Sequence, residues 1–364
     1  MRAAVNHLLS TIMGKVLSVI VPTFNMEQYL SECLTSLMTK KSQELLEVIV
    51  VNDGSTDGSS AIAHDFAKQY PTLCKVIDKP NGHYGSCVNR GLKEATGKYV
   101  KILDADDFFN TSDLDAVLTF LEECTADLVV TDVLRVTING KIYKHGSYGE
   151  FHGKTFNIDE IGGIPKFQGI AMHYMAYRTQ LLRDIQYFQP EGILYTDDVW
   201  RFTPMQAVRS ICFLDKTLYC YRLGRTGQSM DRYVMRKNAV HQLKIANHKL
   251  DIWEQVKDRL SPGAYAFMEE QLFHNEGNTL KFGIMYSSLK NKEMKALDDR
   301  MKTLCPEVYD KVASYKKFVF SSYRYIEHWR KNPLYYRFPL RKKALVYTND
   351  VILHLMQKYK FLLH

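Results

Sequence analysis

Val50-Val51-Asn52-Asp53-Gly54-Ser55-Thr56-Asp57 runs from an apolar, β-branched stretch straight into turn-forming polar residues, and its reading decides the fold. Glu47–Asn52 is predicted as a strand, and Ser59 to Tyr70 behind it as a helix capped by Ser55-Thr56-Asp57. The same alternation continues on both sides. Further strands are predicted at Leu17–Pro22, Lys75–Asp78, Lys98–Leu103 and Asp127–Asp132, with helices over Asn25 to Met38 and Ser86 to Ala95. Short apolar strands alternating with helices mark a parallel sheet covered on both faces, so the predicted class is α/β.

Such sheets bind ligands beyond the carboxyl ends of their strands, so the residues after each strand are the ones to inspect. They are Pro22-Thr23-Phe24-Asn25, Asn52-Asp53-Gly54-Ser55-Thr56-Asp57, Asn81-Gly82-His83-Tyr84-Gly85 and Asp104-Ala105-Asp106-Asp107. Turn chemistry or helix capping explains any one of these tips, but not all four in one βαβ frame. Neither a G-x-G-x-x-G nor a P-loop pattern follows the first strand, which argues against a dinucleotide cofactor and against that mode of phosphate binding. Three crowded carboxylates at Asp104, Asp106 and Asp107 repel one another unless a cation joins them. A hard divalent ion, Mg²⁺ or Mn²⁺, is the economical answer, with a diphosphate completing its shell. Asp53 can accept from a base N–H, with Ser55 or Thr56 on the same rim, which fits a nucleotide diphosphate.

Four segments together resemble the inverting glycosyltransferase family 2 with its GT-A fold, a mixed, mostly parallel Rossmann-like sheet between helices. They are Val19 to Asn25, Val50 to Asp57, Asn89-Arg90-Gly91-Leu92 with Ala95 to Tyr99, and Leu103 to Asp107. The resemblance covers roughly residues 15–230. It implies that Thr23 and Asp53, in a nucleotide-binding set with Pro22, Asn25 and Asn81, hold the nucleobase of a nucleotide sugar, most often uridine. By the same resemblance Asp104 lies near the ribose and Asp106 binds the metal. The family usually reads Asn-Gly-Gly before the third helix, where this chain has Asn81-Gly82-His83. His83 is therefore open to two readings, a nucleotide contact or a solvated loop histidine.

A later acidic tip, Tyr195-Thr196-Asp197-Asp198-Val199-Trp200, resembles the family's Glu-Asp motif with Asp197 in the Glu place, and Asp198 is then the expected general base. The chemical need is plain: a hydroxyl attacking the anomeric carbon must lose its proton as the bond to the diphosphate breaks. Capping of the helix through Trp200 to Val208 is the competing explanation. Leu218-Tyr219-Cys220-Tyr221-Arg222 and Gln228-Ser229 extend the resemblance. The stretch from Thr137 to Arg178 is expected on the acceptor side. Within it, His173 is read as packed in a strand rather than as a metal ligand.

The 364 residues suggest two domains beyond an N-terminal extension: 1–14 as the extension, 15–230 as the catalytic domain and 231–364 as a basic helical domain. Hydrophobic residues at 46% and charged ones at 24% exclude global disorder and a coiled coil. The net charge of +8 divides into −3 over residues 1–230 and +11 over 231–364. Seven cysteines without a C-x-x-C pair suggest free thiols in a reduced compartment, and no apolar run reaches bilayer length, so a cytoplasmic location is expected. From Asp231 helical spacing takes over, through Val240, Leu243, Ile245, Leu250, Trp253 and Val256. Residues 311–364 hold 12 Lys and Arg, 2 Asp and Glu and 12 aromatics, a pattern suited to an anionic membrane surface at the inner face of the cell membrane. A solvated basic face on a packed helical domain is the rival. Nucleic acid is not expected as a partner, because no nucleic-acid module accompanies the charge; a homo-oligomer is left open.

The expected activity is transfer of a sugar from a nucleotide diphosphate, a UDP-sugar by resemblance, to a saccharide or lipid-linked acceptor of surface polysaccharide. A nucleotidyltransferase that makes nucleotide sugars and a non-catalytic saccharide-binding module are the alternatives. A processive synthase is disfavoured because Gln206-Ala207-Val208-Arg209 is followed by Ser210 rather than Trp.

Overall fold

A computed structural model describes residues 14–225, 237–286, 288–315 and 324–339. It divides into two compact units, one of residues 14–161 and 169–225 and the other of residues 162–168 and those after 225. The division thus falls five residues before the expected boundary, and a short segment of the first half goes with the helices.

The first unit is built on one sheet. Its strands are β1 (Leu17–Thr23), β2 (Leu46–Asn52), β3 (Cys74–Asp78), β4 (Tyr99–Ile102), β5 (Phe108–Phe109), β6 (Leu128–Thr137), β7 (Ile142–Gly146), β8 (Thr155–Asn157), β9 (Met175–Arg178) and β10 (Ser210–Leu223). The order is β3-β2-β1-β4-β9-β6-β10-β5, with β7 on β6 and β8 on β10. β3, β2, β1 and β4 run parallel; β9 is antiparallel to both β4 and β6; β10 is parallel to β6. Every residue of β1 and β2 is buried, the signature of strands covered on both faces. The charged residue of β2, Glu47, accepts from Ser18 Oγ (2.6 Å), the Thr96 N–H (2.8 Å) and Lys75 Nζ (2.9 Å). Although burial pushes its carboxyl up, these donors hold it below the usual glutamate range.

The covering helices are α1 (Leu30–Thr35), α2 (Ser59–Gln69), α3 (His83–Glu94) and α4 (Thr111–Glu123), followed by α5 (Thr179–Asp184) and α6 (Asp197–Phe202). α1 is much shorter than the predicted Asn25–Met38. The N–H groups of Asn25, Met26 and Glu27 are taken by Ser55 Oγ (3.1 Å), Ser59 Oγ (2.7 Å) and Asp57 Oδ2 (3.1 Å), which ties this stretch to the loop after β2 instead of winding it. The sixth helix ends at Phe202 and gives way to a 3₁₀ turn, Thr203–Gln206, where Pro204 interrupts it. β10 is bulged between Leu214 and Thr217, and there His152 bridges Asp132 (3.1 Å) and Asp215 (3.0 Å).

The second unit is helical: α7 (Ala239–Val256), α8 (Pro262–Tyr286), α9 (Asn291–Leu304), α10 (Pro306–Ala313) and α11 (Tyr325–Lys331). Leu243, Ile245, Leu250, Trp253 and Val256 are buried as their spacing predicts, whereas Val240 is exposed. Residues 162–168 belong here because Phe167 stacks near Phe267 (5.3 Å) and Gln271 Nε2 donates to the Gln168 carbonyl (2.7 Å). Arg330 grips Asp298 with Nε and Nη2 (3.0 and 2.6 Å) and lies 3.6 Å from the Tyr309 ring centre. Of the tail aromatics, Tyr325, Trp329 and Phe338 are buried while Tyr335 is 80% exposed; Tyr323 and Arg341-Lys342-Lys343 lie outside the described residues. Among the described residues no helix is long and apolar enough to cross a membrane, and all seven cysteines are free.

Candidate active site

Parallel strands end together, so the tips of β1, β2, β3 and β4 meet on one edge of the sheet. At the first tip Thr23 is buried, its Oγ1 donating to the Val21 carbonyl (3.1 Å) and its own carbonyl accepting from the Asp53 N–H (2.8 Å). Pro22 precedes it inside the strand, and Asn25 adopts a left-handed φ of 53°, as asparagine can. Asn25 Oδ1 accepts from the Thr56 N–H at 2.8 Å, so this side chain clasps the first tip to the second.

Gly54, with φ of 73°, turns the second tip back toward the sheet. Asp53, only 3% exposed, accepts at Oδ1 from Lys79 Nζ and from the Gly82 N–H (2.9 Å), while Asn81 Nδ2 donates to its backbone carbonyl (3.1 Å). The β2 and β3 tips therefore form one hydrogen-bonded cup. Asn81 and His83 stand exposed on its rim, and His83 opens α3 with φ of 64°. Lys79 escaped the sequence reading, because a lysine at a strand end carries no motif.

The β4 tip separates three carboxylates that look equivalent in sequence. Asp107, 1% exposed, accepts from Tyr219 Oη (2.7 Å) and from the Arg222 N–H (2.7 Å), which joins it to β10. Asp104 accepts from Tyr84 Oη at 2.7 Å; burial and then the neighbouring Asp106 push its carboxyl up to about 7. Asp106 accepts at Oδ2 from Arg225 Nε (2.7 Å), and its carbonyl accepts from Arg222 Nε (2.9 Å). Arg222 itself is packed against Tyr29 and Phe108 and reaches Glu32 at 2.7 Å.

At the start of α6, Asp198 Oδ1 accepts from Arg201 Nη1 (3.0 Å). Burial is the main reason that the carboxyl of Asp104 and the phenols of Tyr84, Tyr187 and Tyr221 are raised, and the charge of Asp197 adds to each; the loop leading to this acidic tip is tied to the cup by the Gly192 N–H, which donates to the Gly82 carbonyl (3.0 Å). Thr196 is buried and accepts from Gln189 Nε2 (2.8 Å), fixing the entry to the helix. His173 is not within the strand, as its spacing suggested. It lies in a 3₁₀ turn, Met172–Tyr174, just before β9, its ring 4.5 Å from that of Tyr221. A ring nitrogen of His173 and oxygens of Asp104 and Asp107 lie within 4.8 Å of one another. Burial and then Lys101 pull its imidazole down to about 3, so it is neutral.

The model of glycosyl transferase family 2 matches residues 18–186, the span that carries the first four tips. The uncharacterized glycosyltransferase EpsJ of Bacillus subtilis is 35% identical over 64% of this chain and 70% of its own length. The chain belongs to glycosyltransferase family 2. Glycosyltransferase GlyA of Streptococcus pneumoniae is 27% identical over 57% of the family 2 chain and 31% of its own length. TarS of Staphylococcus aureus, a poly(ribitol-phosphate) beta-N-acetylglucosaminyltransferase, is 26% identical over 67% and 42%. The chain thus spans less than half of GlyA and of TarS. A crystal structure of TarS residues 1–349 in complex with UDP superimposes with a TM-score of 0.56 at 23% identity, covering 88% of each chain, and establishes the GT-A fold.

Proposed function

We propose that this family 2 chain is an inverting transferase that moves a sugar, a hexose or N-acetylhexosamine, from a UDP-sugar to a saccharide or lipid-linked acceptor in surface polysaccharide assembly. The observation that carries the reading is that the Asp53 cup is tied to both acidic tips: Tyr84, in the helix that opens at the cup, donates to Asp104 (2.7 Å), and the Gly192 N–H, in the loop leading to Asp197-Asp198, donates to the Gly82 carbonyl (3.0 Å). The UDP held by the TarS fragment and the activity for which TarS is named support a uridine donor and a polymer acceptor. In this reading Thr23 and Asp53 take the base, with Pro22, Asn25, Asn81 and His83 around it, and Asp104 faces the ribose.

The donor set fits a divalent cation. Asp104 holds its proton more tightly than usual largely because the tip is buried and crowded with negative charge, and a hard ion relieves that repulsion. Asp106 would hold Mn²⁺ or Mg²⁺, which supplies positive charge to the leaving diphosphate. The protein's own part is positioning and proton transfer. Asp198 takes the proton of the acceptor hydroxyl while the anomeric carbon–oxygen bond to the diphosphate breaks, in one in-line displacement.

UDP release from a panel of UDP-sugars with Mn²⁺, in wild type and Asp198→Asn, tests the reading. The variant is expected to bind UDP as wild type does and to lose about 10²-fold or more in turnover. Wild-type turnover in Asp198→Asn removes the base assignment. Saccharide binding that needs neither nucleotide nor metal favours the binding module instead, and pyrophosphate release from UTP and a sugar phosphate favours the nucleotidyltransferase.

Peripheral attachment to an anionic membrane, which would place the chain on the cytoplasmic face, is a second proposal. It is supported by the +11 of residues 231–364 and by the exposed Leu334 and Tyr335. Removing residues 340–364 is the cleaner test, because a cut after Asp310 also deletes Trp329 and Arg330 from the helical core. Flotation with anionic liposomes that is undiminished by the shorter truncation counts against a tail anchor.

A further inference from the structure

Two arginines reach the same acidic tip in different ways. Arg222 is built into the fold: its side chain is 5% exposed, its Nε donates to the Asp106 carbonyl, its Nη2 pairs with Glu32, and Tyr29 and Phe108 flank it. Arg225 lies two residues beyond the end of β10 at Leu223, across Gly224, whose φ of 92° lets the backbone leave the strand direction. Its Nε binds Oδ2 of Asp106 itself at 2.7 Å, with the two side chains 22% and 14% exposed.

A guanidinium on Oδ2 competes with a divalent ion for this carboxylate, because it occupies one of its lone pairs, offsets its charge and repels an incoming cation. We propose that Arg225 is an exchangeable counter-cation of this site: it neutralises Asp106 in the empty enzyme, gives it up to the divalent ion, and its displaced guanidinium then engages the diphosphate. The inference rests on the metal reading of Asp106 given above. Gly224 serves as the pivot, and Arg222 stays in place to hold the backbone of Asp106. The exchange makes the ion and the diphosphate cooperative, since the freed guanidinium prefers a fork of phosphate oxygens to water.

Mn²⁺ titrations of the full chain, followed by the electron paramagnetic resonance of the free ion, read this directly. Without nucleotide, Arg225→Gln is expected to bind Mn²⁺ about fivefold or more tighter than wild type, because its competitor is gone. With saturating Mn²⁺, calorimetry is expected to show UDP binding about fivefold or more weaker in the same variant. Arg225→Lys, which keeps the charge but not the fork, should fall between the two in both titrations. Far-UV circular dichroism establishes that each variant is folded. Mn²⁺ affinity that is unchanged or weaker in Arg225→Gln overturns the exchange and leaves Arg225 as a clamp on the loop. Asp106→Asn is the control for the reading underneath: Mn²⁺ binding that survives it overturns the metal assignment, and the exchange with it.

Discussion

Asp106 and Asp107 are neighbours with opposite commitments. Asp107 is sealed between the Tyr219 hydroxyl and the Arg222 N–H, so Asp107→Ala leaves two buried donors without an acceptor and is expected to cost about 2–4 kcal/mol of stability, read by denaturant unfolding. Asp106→Ala should change stability by less than about 1 kcal/mol and abolish the rise in melting temperature that UDP with Mn²⁺ gives wild type. The sequence presents both only as carboxylates after a strand; burial and hydrogen-bond partners, which depend on residues more than a hundred positions away in β10, tell them apart. A second residue-scale case lies in the helical unit. Glu276 is buried beside Asp298, and burial and then that charge hold its carboxyl well above the usual range. Such a group favours the folded state below its unfolded pKa, and that stability is lost as pH rises toward its folded value. Glu276→Gln is therefore expected to melt above wild type at about pH 8, with the gap closing at about pH 5. An equal gap at both pH values contradicts the assignment.

At the scale of elements, the apolar runs were enough to place β1 to β4 within a residue or two, because strands buried on both faces leave little room for other patterns. The first helix starts later than predicted for a physical reason: Asn25 to Glu27 spend their N–H groups on Ser55, Ser59 and Asp57. That cross-link has no periodicity to read. The buried Glu47, at which the predicted strand begins, is a three-donor hub. Its folded carboxyl titrates below the unfolded one, so its contribution is present above the unfolded pKa and disappears as pH falls through the folded one. Glu47→Gln should accordingly be less stable than wild type at neutral pH and converge with it below about pH 4, in urea melts at each pH. α3 offers another handle. A Cβ on Gly85 would sit 2.0 Å from the Pro190 carbonyl oxygen, so Gly85→Ala should displace the loop leading to Asp197 and lower turnover more than it weakens UDP binding.

For the whole molecule, the structure divides after Arg225, five residues before the position at which the sequence charge is divided. That Gly162 to Gln168 goes with the helices was not legible: its partners, Gly263, Phe267 and Gln271, lie about a hundred residues on. The candidate site was legible to the extent that its residues sit in contiguous tips; Tyr84, Lys79 and Arg225, which bond to those tips from elsewhere, were not. Tyr325 and Trp329, two of the twelve aromatics of residues 311–364, are buried in the helical unit and so do not face a membrane. The central claim, that Asp53 and Asp106 form one nucleotide-diphosphate site with a divalent ion, is tested most directly by calorimetry of UDP on the full chain with and without Mn²⁺. The account predicts binding at least about tenfold tighter with Mn²⁺, and loss of that gain in Asp106→Ala. UDP affinity that is indifferent to Mn²⁺ in wild type, or a gain that persists in Asp106→Ala, would contradict it.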